Sequence, residues 1–104
     1  MVKLDFKKTE SYIPKNSKEK NLVKAFSFLN NEKDVANFIR DIMTPVEIEE
    51  FANRLEIARL LMTGKSYIEI AKQTKVSTTT VTRVAHWLFK GCGGYQKVLS
   101  NKTK

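Results

Sequence analysis

Residues 66–88, SYIEIAKQTKVSTTTVTRVAHWL, leave a chain few ways to fold. Ser66 with Glu69 three positions on is a capping-box pattern. Tyr67, Ile70 and Ala71 follow at the spacing of an inward helix face. Thr74-Lys75-Val76 interrupts the period, and Ser77 can cap a second helix whose Val81, Val84, Ala85 and Leu88 share one stripe. Two helices of about eight and twelve residues joined by a three-residue turn have helix-turn-helix spacing. Five of the six residues from Ser77 to Thr82 are Ser or Thr, which hold a helix weakly. A cost of ~0.5 kcal/mol per threonine is small beside ~1.5–3 kcal/mol for each aliphatic side chain buried beneath it. Packing therefore decides, and the segment is expected to be helical despite its threonines.

With Val81 at the core centre and about 100° per residue, Thr79, Thr82, Arg83 and His86 gather on the opposite arc. That arc offers hydroxyls, threonine methyls, a guanidinium and an imidazole, groups that can meet base edges and phosphates in a DNA major groove. Ser77 and Thr78, at the helix start, can present hydroxyls and backbone N–H groups to a phosphate. Lys72 is the phosphate candidate on the preceding helix. Lys65, Lys75 and Lys90 are further cations of the same kind, although a single lysine is usually just solvated. Lys75 stands where a helix-turn-helix usually has Gly at positive φ, a conformation costing another residue roughly 1 kcal/mol.

The charge distribution supports a polyanionic partner. The chain carries a formal net charge of +8, and after Gly64 it has seven Lys and one Arg against Glu69 alone. Such asymmetry points to nucleic acid. The bland alternative is a solvated lysine-rich face. With 104 residues and 41% hydrophobic content, the chain fits one domain with a buried core. It has no signal-peptide or membrane-spanning run, so a cytoplasmic protein away from the membrane is expected. Cys92 is alone, which rules out an intrachain disulfide and a cysteine metal cage.

The remaining pattern is helical throughout. Residues 1–16 show no clear period and read as a loosely attached arm, leaving 17–104 as the single domain. Ser17 is the expected cap of a helix to about Leu29. A second helix, with Val35, Phe38, Ile39 and Ile42 at i, i+3, i+4 and i+7, runs to Met43. Thr44, Pro45 and Glu47 supply an N-cap, a first-turn proline and a capping-box acid. The long helix they open is apolar on more than one face and ends at Gly64. Gly91, Gly93 and Gly94 end the threonine-rich helix, and a short last helix follows to about Ser100. The expected architecture is all-α, with about six helices.

The stretch TPVEIEEFANRLEIARLLMTGKSYIEIAKQTKVSTTTVTRV, followed by GCGGYQKVL, resembles the Trp repressor-like family, and specifically its YerC/YecD-type members. The resemblance implies an interlocked homodimer, joined through the N-terminal and central helices, in which each chain presents one helix-turn-helix. It further implies a transcriptional regulator of double-stranded DNA, with half-sites about one helical turn apart. In the repressor itself, a tryptophan corepressor is held by residues matching Thr44, Arg54 and Arg83 here. Val84 and Trp87 stand in place of the repressor's small residues, where an indole ligand needs room. A vestigial pocket is expected, partly filled from within by Trp87 and not taking tryptophan.

Other constellations have simpler explanations. His86 on the outer arc is as consistent with plain solvent exposure as with DNA contact, and without a second His it is no metal ligand. Arg54 is expected to pair with Glu50 or with a partner chain. The Glu47, Glu49, Glu50 cluster suits the positive end of a helix better than it suits catalysis. Gly91-Cys-Gly-Gly94 turns the chain and lacks the context of a phosphate loop. No nucleophile–base pair, cofactor motif or metal set is visible, so an enzyme is not expected. The alternative to DNA binding is a protein-interaction module whose basic helix-turn-helix docks an acidic partner.

Overall fold

The computed structural model describes residues 10–100, within which six helices succeed one another and no strand forms. They are α1 (Ser17–Ser27), α2 (Glu32–Ile42), α3 (Pro45–Met62), α4 (Tyr67–Thr74), α5 (Thr78–Lys90) and α6 (Gly94–Ser100). The fold is the all-α arrangement expected from the helical periods and caps.

Local hydrogen bonding sets most of the boundaries. α1 is capped by Asn16, one residue earlier than the expected Ser17, because the Asn16 amide oxygen accepts the Glu19 N–H at 3.0 Å. α2 is capped in the same way by Asn31. Ahead of α3, the Thr44 N–H donates to the Glu47 carboxylate at 2.9 Å, and the Glu47 N–H donates back to the Thr44 hydroxyl at 3.2 Å. Both arms of the box inferred from Thr44-Pro45-Val46-Glu47 are therefore made. Gly64 adopts φ 90° after the end of α3, as a C′ glycine does.

By contacts the chain divides into two units with the boundary inside α3, one of them Tyr12–Glu50 and the other holding Phe51 and everything described after it. In the second unit, Ile57, Ala58, Leu60 and Leu61 of α3 join Ile70 and Ala71 of α4, Val81, Val84, Ala85 and Leu88 of α5, and Leu99 of α6 in one core. Met62, Val76, Phe89 and Tyr95 pack against it. In the first unit neither α1 nor α2 has a buried residue. Phe26 and Phe38 meet edge to face at 5.0 Å, while Leu22, Val23 and Phe28 are exposed, Phe28 at 81%. Apolar faces left this open leave their burial energy unused in a single chain.

Residues 1–9 of the expected N-terminal arm lie outside the described residues. Of the arm's remainder, the Tyr12 hydroxyl and the Lys15 backbone N–H both donate to the Glu19 carboxylate of α1.

Candidate nucleic-acid interface

The α4–α5 pair is built from its caps inward. The Ser66 N–H donates to the Glu69 carboxylate at 3.0 Å and the Glu69 N–H to the Ser66 hydroxyl at 3.1 Å. The backbone and side-chain hydrogen bonds with Ser66, helped by the charge of Lys65, hold the Glu69 carboxyl below its ordinary pKa. Ile70 and Ala71 are buried as expected. Tyr67 is not. It lies 41% exposed in the first turn of α4.

Lys75 closes α4 in the left-handed region, at φ 61° and ψ 38°, and its N–H donates to the Ala71 carbonyl. The Val76 N–H donates to the same carbonyl at 3.1 Å. A lysine thus occupies the conformation that glycine would adopt without strain. Two residues later the Ser77 hydroxyl accepts the Thr80 N–H at 3.2 Å and opens α5.

Along α5, Val81, Val84, Ala85 and Leu88 are buried at 5% exposure or less. Thr78, Thr79, Thr82, Arg83 and His86 are all exposed, as are Ser77 and Lys72. The opposed faces inferred from the helical period are present. Their hydroxyls differ in what they have left to offer. Ser77 is engaged as the cap and lies 3.2 Å from the Thr80 hydroxyl. Thr82 donates to the Thr78 carbonyl at 2.9 Å, which leaves its oxygen lone pairs and its methyl for a ligand. Thr79 has no hydrogen-bond partner among the described residues, so it can both donate and accept. The first N–H groups of α5 lie inside the helix start without intrahelical acceptors, and they face any anion placed there. No acid lies on α5, and the one acid of α4, Glu69, is tied to its cap. The positive charge of Lys72, Arg83 and the helix start is therefore not cancelled locally.

The five residues that the resemblance assigns to a vestigial pocket have different local surroundings. Thr44 caps α3, and Val84 belongs to the core at 5% exposure. Arg83 is on the exposed arc of α5. The Arg54 guanidinium lies over the Phe51 ring, 5.1 Å from its centroid, instead of pairing with Glu50; the α3 ion pair is Arg59 with Glu56 at 2.7 Å. A cation on an aromatic face keeps its solvation on one side, which an exposed carboxylate pair would not improve much.

Trp87 lies in the last turns of α5. It is 52% exposed, meets His86 edge to face at 5.2 Å, and forms one wall of an open apolar groove of about 540 Å³. Leu55, Cys92, Gly94, Tyr95 and Val98 complete that groove. Burial pushes the Tyr95 hydroxyl pKa up, with Arg54 nearby acting in the opposite direction. Sequence reasoning missed the groove because its walls come from α3, α5, α6 and the α5–α6 turn, and no short motif links them. The turn itself depends on Gly91. A Cβ there would lie 2.3 Å from the Trp87 carbonyl oxygen, and Gly93 takes φ 88°.

Among the described residues, no group of His, Cys, Asp and Glu is placed to hold a metal ion. No described helix is long and apolar enough to cross a membrane.

Comparison with known proteins agrees with this geometry. The pattern of the Trp repressor protein family matches residues 17–103. The chain is 36% identical over 83 residues to the uncharacterized protein YerC of Bacillus subtilis (strain 168), covering 77% of this chain and 80% of that protein. It superposes on the crystal structure of a TrpR-like protein from Eubacterium eligens ATCC 27750 with a TM-score of 0.78 at 30% identity, covering 86% of this chain and 92% of the other. The helix-turn-helix, the six-helix order and these matches together place the chain in the Trp repressor family, whose fold is that of DNA-binding regulators.

Proposed function

We propose that this protein is a sequence-specific regulator of transcription that binds double-stranded DNA as a homodimer. In this reading residues 17–104 act as one domain in the cytoplasm. The observation that carries the proposal is the outer arc of α5, with Thr79, Thr82, Arg83 and His86 exposed above a buried Val81, Val84, Ala85 and Leu88. Thr79, Thr82 and Arg83 read base edges, His86 meets a base or phosphate, and Ser77, Thr78 and Lys72 hold the backbone. The apolar faces of α1 and α2, which hold no fully buried residue in one chain, support association with a second copy.

Tryptophan is not the effector in this reading. Val84 is built into the core, and Trp87 forms a groove wall where the repressor has small residues. Isothermal titration with L-tryptophan is expected to show no binding, and micromolar affinity would contradict this. The DNA-binding proposal is tested by titrating duplex DNA across salt concentrations. If each head neutralises several phosphates, log K falls with log salt at a slope of about −0.9 per phosphate. A protein that binds no duplex even at low salt would refute it.

A further inference from the structure

The structure leaves one lysine in a backbone conformation that it is poorly suited to adopt. Among the described residues, Lys75 is the only non-glycine residue with positive φ. The backbone requires that conformation, because both the Lys75 and the Val76 N–H groups turn back onto the Ala71 carbonyl. The side chain does not stabilise it. Lys75 is exposed, and its ammonium has no hydrogen bond or ion pair with another described residue. Glycine would make the same turn without the clash between Cβ and carbonyl. The helix end does not demand the charge either, since Lys72 already supplies a cation to the last turn of α4.

A residue held against its backbone preference, with an unused side chain, points to a role outside the fold. The position indicates what that role is. Lys75 lies between the two helices, two residues before the cap of α5. There its charge adds to that of Lys72 and of the α5 start, whose Thr78 and Thr79 N–H groups have no intrahelical acceptor, with no unengaged side-chain carboxylate in the sequence after Gly64.

We propose that Lys75 is a positioning residue for DNA, whose ammonium neutralises a backbone phosphate and fixes the depth at which α5 enters the groove. The inference rests on the DNA-reading role proposed above. A phosphate contact carries no sequence information, so its loss weakens binding to all duplexes alike.

Three variants test it: Lys75→Gly, which removes the strain and the charge; Lys75→Asn, which tolerates the left-handed region without charge; and Lys75→Arg, which keeps the charge. Urea midpoints are measured beside duplex affinity over a range of salt. Lys75→Gly and Lys75→Asn are expected to be at least as stable as the parent chain. They should bind every duplex about fivefold more weakly per head at 0.15 M salt, with the log–log slope shallower by about 0.9 per head. Lys75→Arg should keep the parent affinity and slope.

Parent-like binding and slope in the Gly and Asn variants would overturn the proposal. So would a fall in urea midpoint with an unchanged slope, which would assign the lysine to the helix end. A parent chain that binds no duplex would sink this inference together with the DNA reading. Parent binding with unaltered variants would sink this inference alone.

Discussion

At the scale of single residues, hydrogen bonds already made decide what each side chain has left for a ligand. Thr79 can donate and accept, whereas Thr82 has its proton committed to the Thr78 carbonyl. Thr79→Ala is therefore expected to relax base preference by about 1–3 kcal/mol at one base pair, the range for a lost base-edge contact. Thr82→Ala should act through the loss of a methyl and an acceptor, at the low end of that range. Lys72→Ala should weaken all duplexes equally, which competition among mismatched duplexes measures directly. Core and turn residues act on stability instead. Ile70 is fully buried, and Ile70→Ala should cost about 2–5 kcal/mol in urea unfolding. Gly91→Ala places a methyl 2.3 Å from the Trp87 carbonyl oxygen, a backbone atom that cannot swing away. It should cost about 1–3 kcal/mol, and an unchanged urea midpoint would show that the α5–α6 turn adapts freely.

At the scale of elements, features written in neighbouring residues were legible, and features assembled from distant ones were not. The caps at Thr44, Ser66 and Ser77 are residue-by-residue hydrogen-bond patterns, and the structure makes all three. Asn16 took the cap assigned to Ser17, a shift of one residue within a run where either side chain is suitable. Tyr67 falls on the inward stripe by period alone, yet it is 41% exposed. The open groove walled by Trp87, Leu55 and Tyr95 was not legible, because its walls come from separate elements. The α4 cap also carries a pH signature. Because Ser66 holds the Glu69 carboxyl below its ordinary value of 4.5, the cap's stabilisation is fully present above about that pH. It is lost as pH falls through the lowered value. The gap in urea midpoint between the parent chain and Glu69→Ala should therefore be constant near neutrality and close in strong acid. A gap that persists unchanged in strong acid would mean the carboxylate form is not what caps α4.

At the scale of the whole molecule, exposed apolar faces and uncompensated positive charge call for two different partners. α1 and α2 hold no fully buried residue, yet Leu22, Val23, Phe26 and Phe28 lie along α1 and just beyond its end. If a second copy covers them, apparent unfolding temperature rises with protein concentration, since association is then part of folding. A concentration-independent midpoint would assign those faces elsewhere. In the proposed dimer, association would set the spacing of two α5 helices, and bound DNA would report that spacing. Selecting bound duplexes from a random pool with the parent chain, Thr79→Ala and Lys72→Ala tests the central claim most directly. The parent chain should select a two-fold symmetric motif with half-sites about one helical turn apart. Thr79→Ala should return that motif with one position per half-site blurred, and Lys72→Ala should return it intact from a weaker binder. If the threonine variant selects the unaltered parent motif, or if the parent chain selects no motif, the outer arc of α5 does not read DNA.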